Sequence, residues 1–254
     1  MQKLTKLCFV ILICFTNQLF SQNINTTIPN AVNTVFQNLD KTKIPHNILL
    51  DYGYDFIDVT AYNGQLNTNN YLSISKHKSL YNALVSAVTA TGVNGIEQPI
   101  QEYTEWENLQ KQYSKEGTIT NSANVILAGL FFDYSKINEL ALSNNKITVA
   151  NNKYYDKYIN GIWQNPYESK MAFAITAPVL TLNRGLVKVK LPQTLWHTNK
   201  QIRNISIYMG SGRPVYQNLN NEAVAYFDYQ TTGTYTWTYR VEYAGGTFAY
   251  AHQK

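Results

Sequence analysis

The sequence predicts an α+β amino-terminal module followed by an all-β sandwich, and three observations carry that prediction. Tyr235, Trp237, Tyr239, Val241 and Tyr243 alternate with Thr234, Thr236, Thr238, Arg240 and Glu242, the period of an antiparallel strand with one dry face. Shorter alternating runs precede it, with Val187, Val189 and Leu191 and then Ile205, Ile207 and Met209 inward, separated by turn residues. In the first two thirds a helical period dominates instead, most clearly at Leu80, Leu84, Ala87 and Val88 with Tyr81 and Val85 beside them.

Taken in order, Lys3 and Lys6, an apolar run from Leu7 to Phe15 and the small residue Ser21 predict a secretory signal peptide over residues 1–21. The apolar run is too short to span a bilayer, and no transmembrane segment is expected in the mature chain. The chain is therefore expected to be secreted, to the periplasm or to the outside or cell surface. Cys8 and Cys14 both fall in the segment to be removed, so the mature protein has to hold its fold by its core alone. Residues 22–177 carry a net −2 and residues 178–254 a net +5, with all four arginines in the latter. That asymmetry, with Ala177-Pro178 as a hinge, places a domain boundary near 177. Its basic residues sit on alternating strand positions rather than in a cluster, so no nucleic-acid partner is expected.

Pro29 opens a short helix with Val32, Val35, Phe36 and Leu39 on one face. Ile48 to Val59 reads as extended, and a helix follows from about Ser75 to Ala90, closed by Gly92. Thr104 to Glu107 fits a capping box, which predicts a helix to about Tyr113. Val125 to Phe132 is an unbroken apolar run, either a strand buried on both faces or a buried helix turn. Asn144-Asn145 and Asn151-Asn152 bracket a small hairpin arm, and Tyr154 to Tyr167 reads as aromatic and irregular. Beyond the hinge, strands are expected at Val179 to Leu182, Leu186 to Leu191, Asn204 to Met209 and Ala223 to Tyr229. A terminal hairpin then turns on Gly245-Gly246, its two-residue turn setting Tyr243 against Phe248 and Val241 against Tyr250.

Three places in the last 77 residues carry a resemblance: the strand Asn204 to Met209 running into Gly210-Ser211-Gly212, the stretch Gly233 to Thr238, and Gly245-Gly246. Together they resemble a PKD-type, immunoglobulin-like sandwich module. The family's strand ends in an aromatic-Gly-Asp-Gly turn. Here Met209 stands for the aromatic and Ser211 for the aspartate, so no role of that acid carries over. The preceding region, with Leu50 to Gly53, Tyr62-Asn63-Gly64 and Asn165 to Glu168, is similar to amino-terminal modules of large exported Bacteroidetes-type surface proteins. The resemblance implies a surface or binding role and no activity.

Catalytic motifs are scarce. Gly-x-Ser-x-Gly, a phosphate loop, a paired-histidine zinc helix and a calcium-loop signature are all absent, and no cofactor or metal is expected. Asp51, Asp55 and Asp58 are the acids a secreted ester or glycan hydrolase would use. On an extended segment, however, Asp51 and Asp55 share a face that Asp58 does not. Glu102, Glu105 and Glu107 surround Trp106 near a helix start, where the helix dipole alone accounts for them. His46, His77, His197 and His252 lack paired spacing, and His77, between Lys76 and Lys78, is expected to be exposed. The surplus of tyrosine is the more telling signal, because such rings offer large rigid contact area. Tyr235, Trp237 and Tyr239 belong to the dry face, which leaves Tyr154, Tyr155, Tyr158, Trp163 and Tyr167 as the expected surface for a glycan or protein partner. The sequence thus predicts an exported noncatalytic interaction protein, with a secreted hydrolase or a structural spacer or fragment of a larger surface protein as alternatives.

Overall fold

The structure, a computed structural model, describes residues 31–89, 96, 99–178, 181–183, 185–210 and 214–254. The expected signal segment with Cys8 and Cys14, the helix-closing Gly92, the strand start at Val179 and Ser211-Gly212 lie outside those residues. The chain forms two compact units, one of residues up to Asp40 with Glu139–Pro166, the other of Lys41–Asn138 with Tyr167–Lys254.

In the smaller unit, helix α1 (residues 31–36) buries Phe36, whose ring stacks on Tyr154 at 5.1 Å. Strands β3 (Ile147–Ala150) and β4 (Lys153–Asp156) fold around Asn151-Asn152, both at positive φ, as that dipeptide predicts. The stretch expected to be irregular holds a second hairpin, β5 (Tyr158–Ile159) and β6 (Ile162–Trp163), turned on Asn160-Gly161. Asp156 ties the unit together, its carboxylate accepting from the Asp40 amide at 2.6 Å and from Trp163 Nε1 at 2.8 Å.

The larger unit mixes helix and sheet, with strands dominating toward the carboxy terminus. Ser73 caps α2 (Ile74–Ser86) by accepting from the Lys76 amide. The buried face of α2 is His77, Leu80, Tyr81 and Leu84, the i, i+3, i+4, i+7 set. Helix α3 (Pro99–Ile119) opens five residues before the expected capping box, because Pro99 is suited to a first turn. Thr104 lies inside it and its hydroxyl donates to the Ile100 carbonyl. The helix also runs on through Gly117, where a Cβ would stand 2.6 Å from the Ser122 carbonyl as the chain doubles back. Ile48 to Val59, expected to be extended, forms short 3-10 turns at Leu50–Tyr52 and from Val59 to Tyr62.

The apolar run after α3 is a pair of buried strands, β1 (Ala123–Ile126) and β2 (Ala128–Ile137). There follow β7 (Tyr167–Thr176), β8 (Leu186–Lys190), β9 (Trp196–Thr198) and β10 (Ile202–Tyr208), then β11 (Gln217–Asn218), β12 (Ala225–Asp228), β13 (Trp237–Tyr243) and β14 (Thr247–Gln253). They make three sheets, ordered β1-β8-β12, β7-β2-β9 and β11-β10-β13-β14, none closed into a barrel. Strands on either side of residue 177, where the sequence places a boundary, pair with one another: β1 runs parallel to β8, and β2 parallel to β9. One core spans them, taking Leu80 and Leu84 from α2, Phe131 and Phe173 from β2 and β7, and Val189, Ile207 and Val241 from the later strands.

The terminal hairpin forms, but one residue out of the expected register. Tyr243 pairs with Thr247, Val241 with Ala249 and Tyr239 with Ala251. The turn holds three residues, Ala244, Gly245 and Gly246, with both glycines at positive φ. A one-residue slip exchanges the faces of a strand, so Phe248 and Tyr250 do not join the dry face and the small residues Ala249 and Ala251 do. Gly64 explains the preference. A Cβ there would stand 2.7 Å from that of Ala249, and only a small residue lets the Gly64 carbonyl come within 2.8 Å of the Tyr250 amide.

Candidate ligand-binding site

The three expected acids have separate local surroundings. Asp51 accepts from the Ile137 amide at 2.8 Å, and Asp58 caps the turn after it by accepting from the Thr60 amide and hydroxyl. Asp55 is exposed. Of the glutamates near Trp106, Glu102 is fully buried while Glu107 pairs in solvent with Lys111 at 2.8 Å. Among the described residues no three His, Cys, Asp or Glu side chains form a metal-ligand set.

The expected aromatic surface divides. Tyr154, Tyr155, Tyr158 and Trp163 belong to the smaller unit, where Tyr154 packs on Phe36 and Trp163 on its tie to Asp156. Tyr167 is buried at the start of β7 in the larger unit. What stays open to solvent around them is the β5-β6 hairpin, with Tyr158, Ile159 and Ile162 50, 40 and 68% exposed.

A cleft of about 580 Å³ lies in the larger unit, bordered by residues 181–183, 185 and 187, by the 229–237 segment and by the end of β14. Its aromatic wall comes from β13 and the loop before it. Tyr229 and Tyr235 lie 4.2 Å apart between ring centres, and Trp237 Nε1 donates to the Tyr229 hydroxyl at 2.8 Å. That hydroxyl in turn donates to the Met209 carbonyl, and burial pushes the Tyr229 phenol up to about 12. The Tyr235 hydroxyl donates to the Thr231 carbonyl at 2.7 Å. The two rings are thus fixed by their own hydroxyls before any ligand arrives.

Among the described residues the polar wall carries little charge. Of the described lining residues, Asn183, Gln230, Thr231, Thr232 and Thr234 contribute hydroxyls and carboxamides, and Lys254 is the charged one. Gln253 closes the floor. Its Oε1 accepts from Thr176 Oγ1 at 2.9 Å, from the Ala177 amide at 2.6 Å and from the Tyr239 hydroxyl at 3.0 Å. Three donors on the oxygen fix the orientation of the carboxamide and turn its nitrogen into the group available to a ligand. The sequence marks Tyr235, Trp237 and Tyr239 alike as core; Trp237 and Tyr239 are buried, but Tyr235 precedes β13 and is only half-buried. It gives no sign that Tyr235 sits at a rim, because the residues opposite come from a segment some fifty positions earlier.

Comparison of the chain with protein-family models, curated proteins and solved structures yields no match. No helix among the described residues is long and apolar enough to cross a membrane.

Proposed function

We propose that this is an exported, noncatalytic glycan-binding protein and that the Tyr229–Tyr235 cleft holds the sugar. The observation that carries the reading is the pairing of fixed tyrosine rings with the hydroxyls and carboxamides of the described lining residues in a cleft of about 580 Å³. A neutral sugar presents the complement: a C–H face for the rings and hydroxyls that both donate and accept. The four-stranded antiparallel sheet β11-β10-β13-β14 supports a PKD-like sandwich as the scaffold, and the signal-peptide pattern in the sequence from Lys3 to Ser21 supports export.

The test is an array of neutral and acidic oligosaccharides, followed by calorimetry on the retained sugars. Neutral glycans should be retained, and Tyr235→Ala and Gln230→Ala should each weaken binding about ten-fold. Retention of acidic glycans alone, or unchanged affinity in both variants, would remove the assignment. A protein partner is the second reading, favoured by the exposed apolar residues of the β5-β6 hairpin. Capture on a peptide array that Ile162→Lys abolishes, with glycan retention intact, would support it.

A further inference from the structure

A second cavity, about 570 Å³, lies between α2 and α3, away from the residues of the sugar cleft. Its body is apolar: Ile74 on α2, Ile100, Tyr103 and Trp106 on α3, and Pro178. Ile100 is 81% exposed, an unusual place for an isoleucine on a helix that buries its opposite side. The polar groups here are not in balance. Asn82 Oδ1 and the Tyr103 hydroxyl are both shut off from solvent and neither has a hydrogen-bond partner. Behind them His77 is fully buried, with both ring nitrogens unpartnered, against the rings of Tyr81, Tyr103 and Trp106. Buried polar atoms without partners are rare, and two in side chains that line one cavity mark a place where a ligand that turns those side chains toward itself supplies the missing bonds.

Charge specifies the ligand further. Lys111 is engaged by Glu107 at 2.8 Å. Lys78 lies over the Tyr103 ring, its Nζ 4.7 Å from the centroid, and makes no ion pair among the described residues. An ammonium held on an aromatic face at the rim of an apolar cavity is placed to take a carboxylate.

We propose that the α2–α3 cavity is a binding site for a small aromatic carboxylic acid, its carboxylate at Lys78, its ring against Tyr103 and Trp106, and a donor group of the ring at Asn82. The site is independent of the sugar cleft. The probes are 4-hydroxyphenylacetate, its primary amide and phenylacetate, titrated into the full chain by calorimetry. The hydroxy acid should bind at least ten-fold more tightly than the amide, which lacks the charge, and than phenylacetate, which lacks the donor. Lys78→Met, an exchange at an exposed position, should bring the acid down to the level of the amide. Asn82→Leu should erase the difference between the two acids while sparing the preference for charge. Equal binding of acid and amide to the wild-type chain, or no binding at 5 mM, would overturn the proposal. So would a dimer in solution that Ile100→Asp dissociates, because the cavity would then be an interface between copies of this chain.

Discussion

Replacing His77 with Phe should stabilise the protein and flatten its response to acid. The imidazole is 0% exposed, both nitrogens lack partners, and three aromatic rings surround it with centroids 5.6 to 6.5 Å away. Burial, then the nearby His197 and Lys78, lowers its pKa from 6.5 to about 3. The folded state therefore keeps the ring neutral while the unfolded chain protonates it below pH 6.5. More protons on the unfolded chain mean stability that falls with pH, from 6.5 down to about 3. At about 1.4 kcal/mol per pH unit, the loss by pH 5 is roughly 2 kcal/mol. Phe keeps the ring shape and removes two desolvated polar atoms, worth about 1–3 kcal/mol at neutral pH. Differential scanning fluorimetry at pH 7.5 and pH 5.0 reads both effects. For a chain of this size 1 kcal/mol corresponds to about 2–4 °C, so His77→Phe should lead by a few degrees at pH 7.5 and by about 4–8 °C more at pH 5.0. His252, whose pKa burial also lowers, titrates in both proteins and cancels in the difference. An identical shift of the two proteins between the two pH values would refute the reasoning.

The hairpin register gives a pair of opposed outcomes. Phe248→Ala should cost under about 1 kcal/mol, since Phe248 is on the outer face under the Arg240 guanidinium, whereas Ala251→Phe should cost about 1–3 kcal/mol by overpacking. Urea denaturation showing the reverse order would restore the two-residue turn. Gln253→Leu leaves the Thr176, Ala177 and Tyr239 donors unanswered and should cost about 3 kcal/mol or more in the same assay, with a loss below about 1 kcal/mol contradicting the shared oxygen. Asp58→Ala should cost about 1 kcal/mol through its lost cap while Asp55→Ala stays within about 0.5 kcal/mol, as thermal melts would show.

Where one face of an element is dry, the sequence displays it. Val187 and Val189, Ile205 and Ile207, and Leu80 and Leu84 are buried as their periods require. Strand β7 escapes notice because Ala172 to Thr176 is buried at every position and leaves no alternation to read. His77 was legible in part: it stands at i−3, i−4 and i−7 from Leu80, Tyr81 and Leu84, but the flanking lysines point to solvent and mask the pattern. Asn160-Gly161 was an equally plain hairpin signal within the aromatic stretch. The register of β14 was not legible, since Gly245-Gly246 serves a two-residue and a three-residue turn alike and Gly64 decides from far away. Both cavities depend on parallel or long-range placement of segments, which no local period encodes.

The stitching of β14 to the 64–72 segment reaches beyond packing. Tyr250 donates to the Gly64 carbonyl, the Leu72 amide to His252, and His252 Nε2 to Asn70 Oδ1, joining residues about 180 positions apart. Contacts of that span are made late, because the loop they close must be confined before any bond repays it. This protein should therefore fold on the slow side, in milliseconds to seconds, with its final strand as the latch. In the interval the β13 edge stays open, so the time that a newly made chain spends exposed to aggregation is set by the search between these two distant segments.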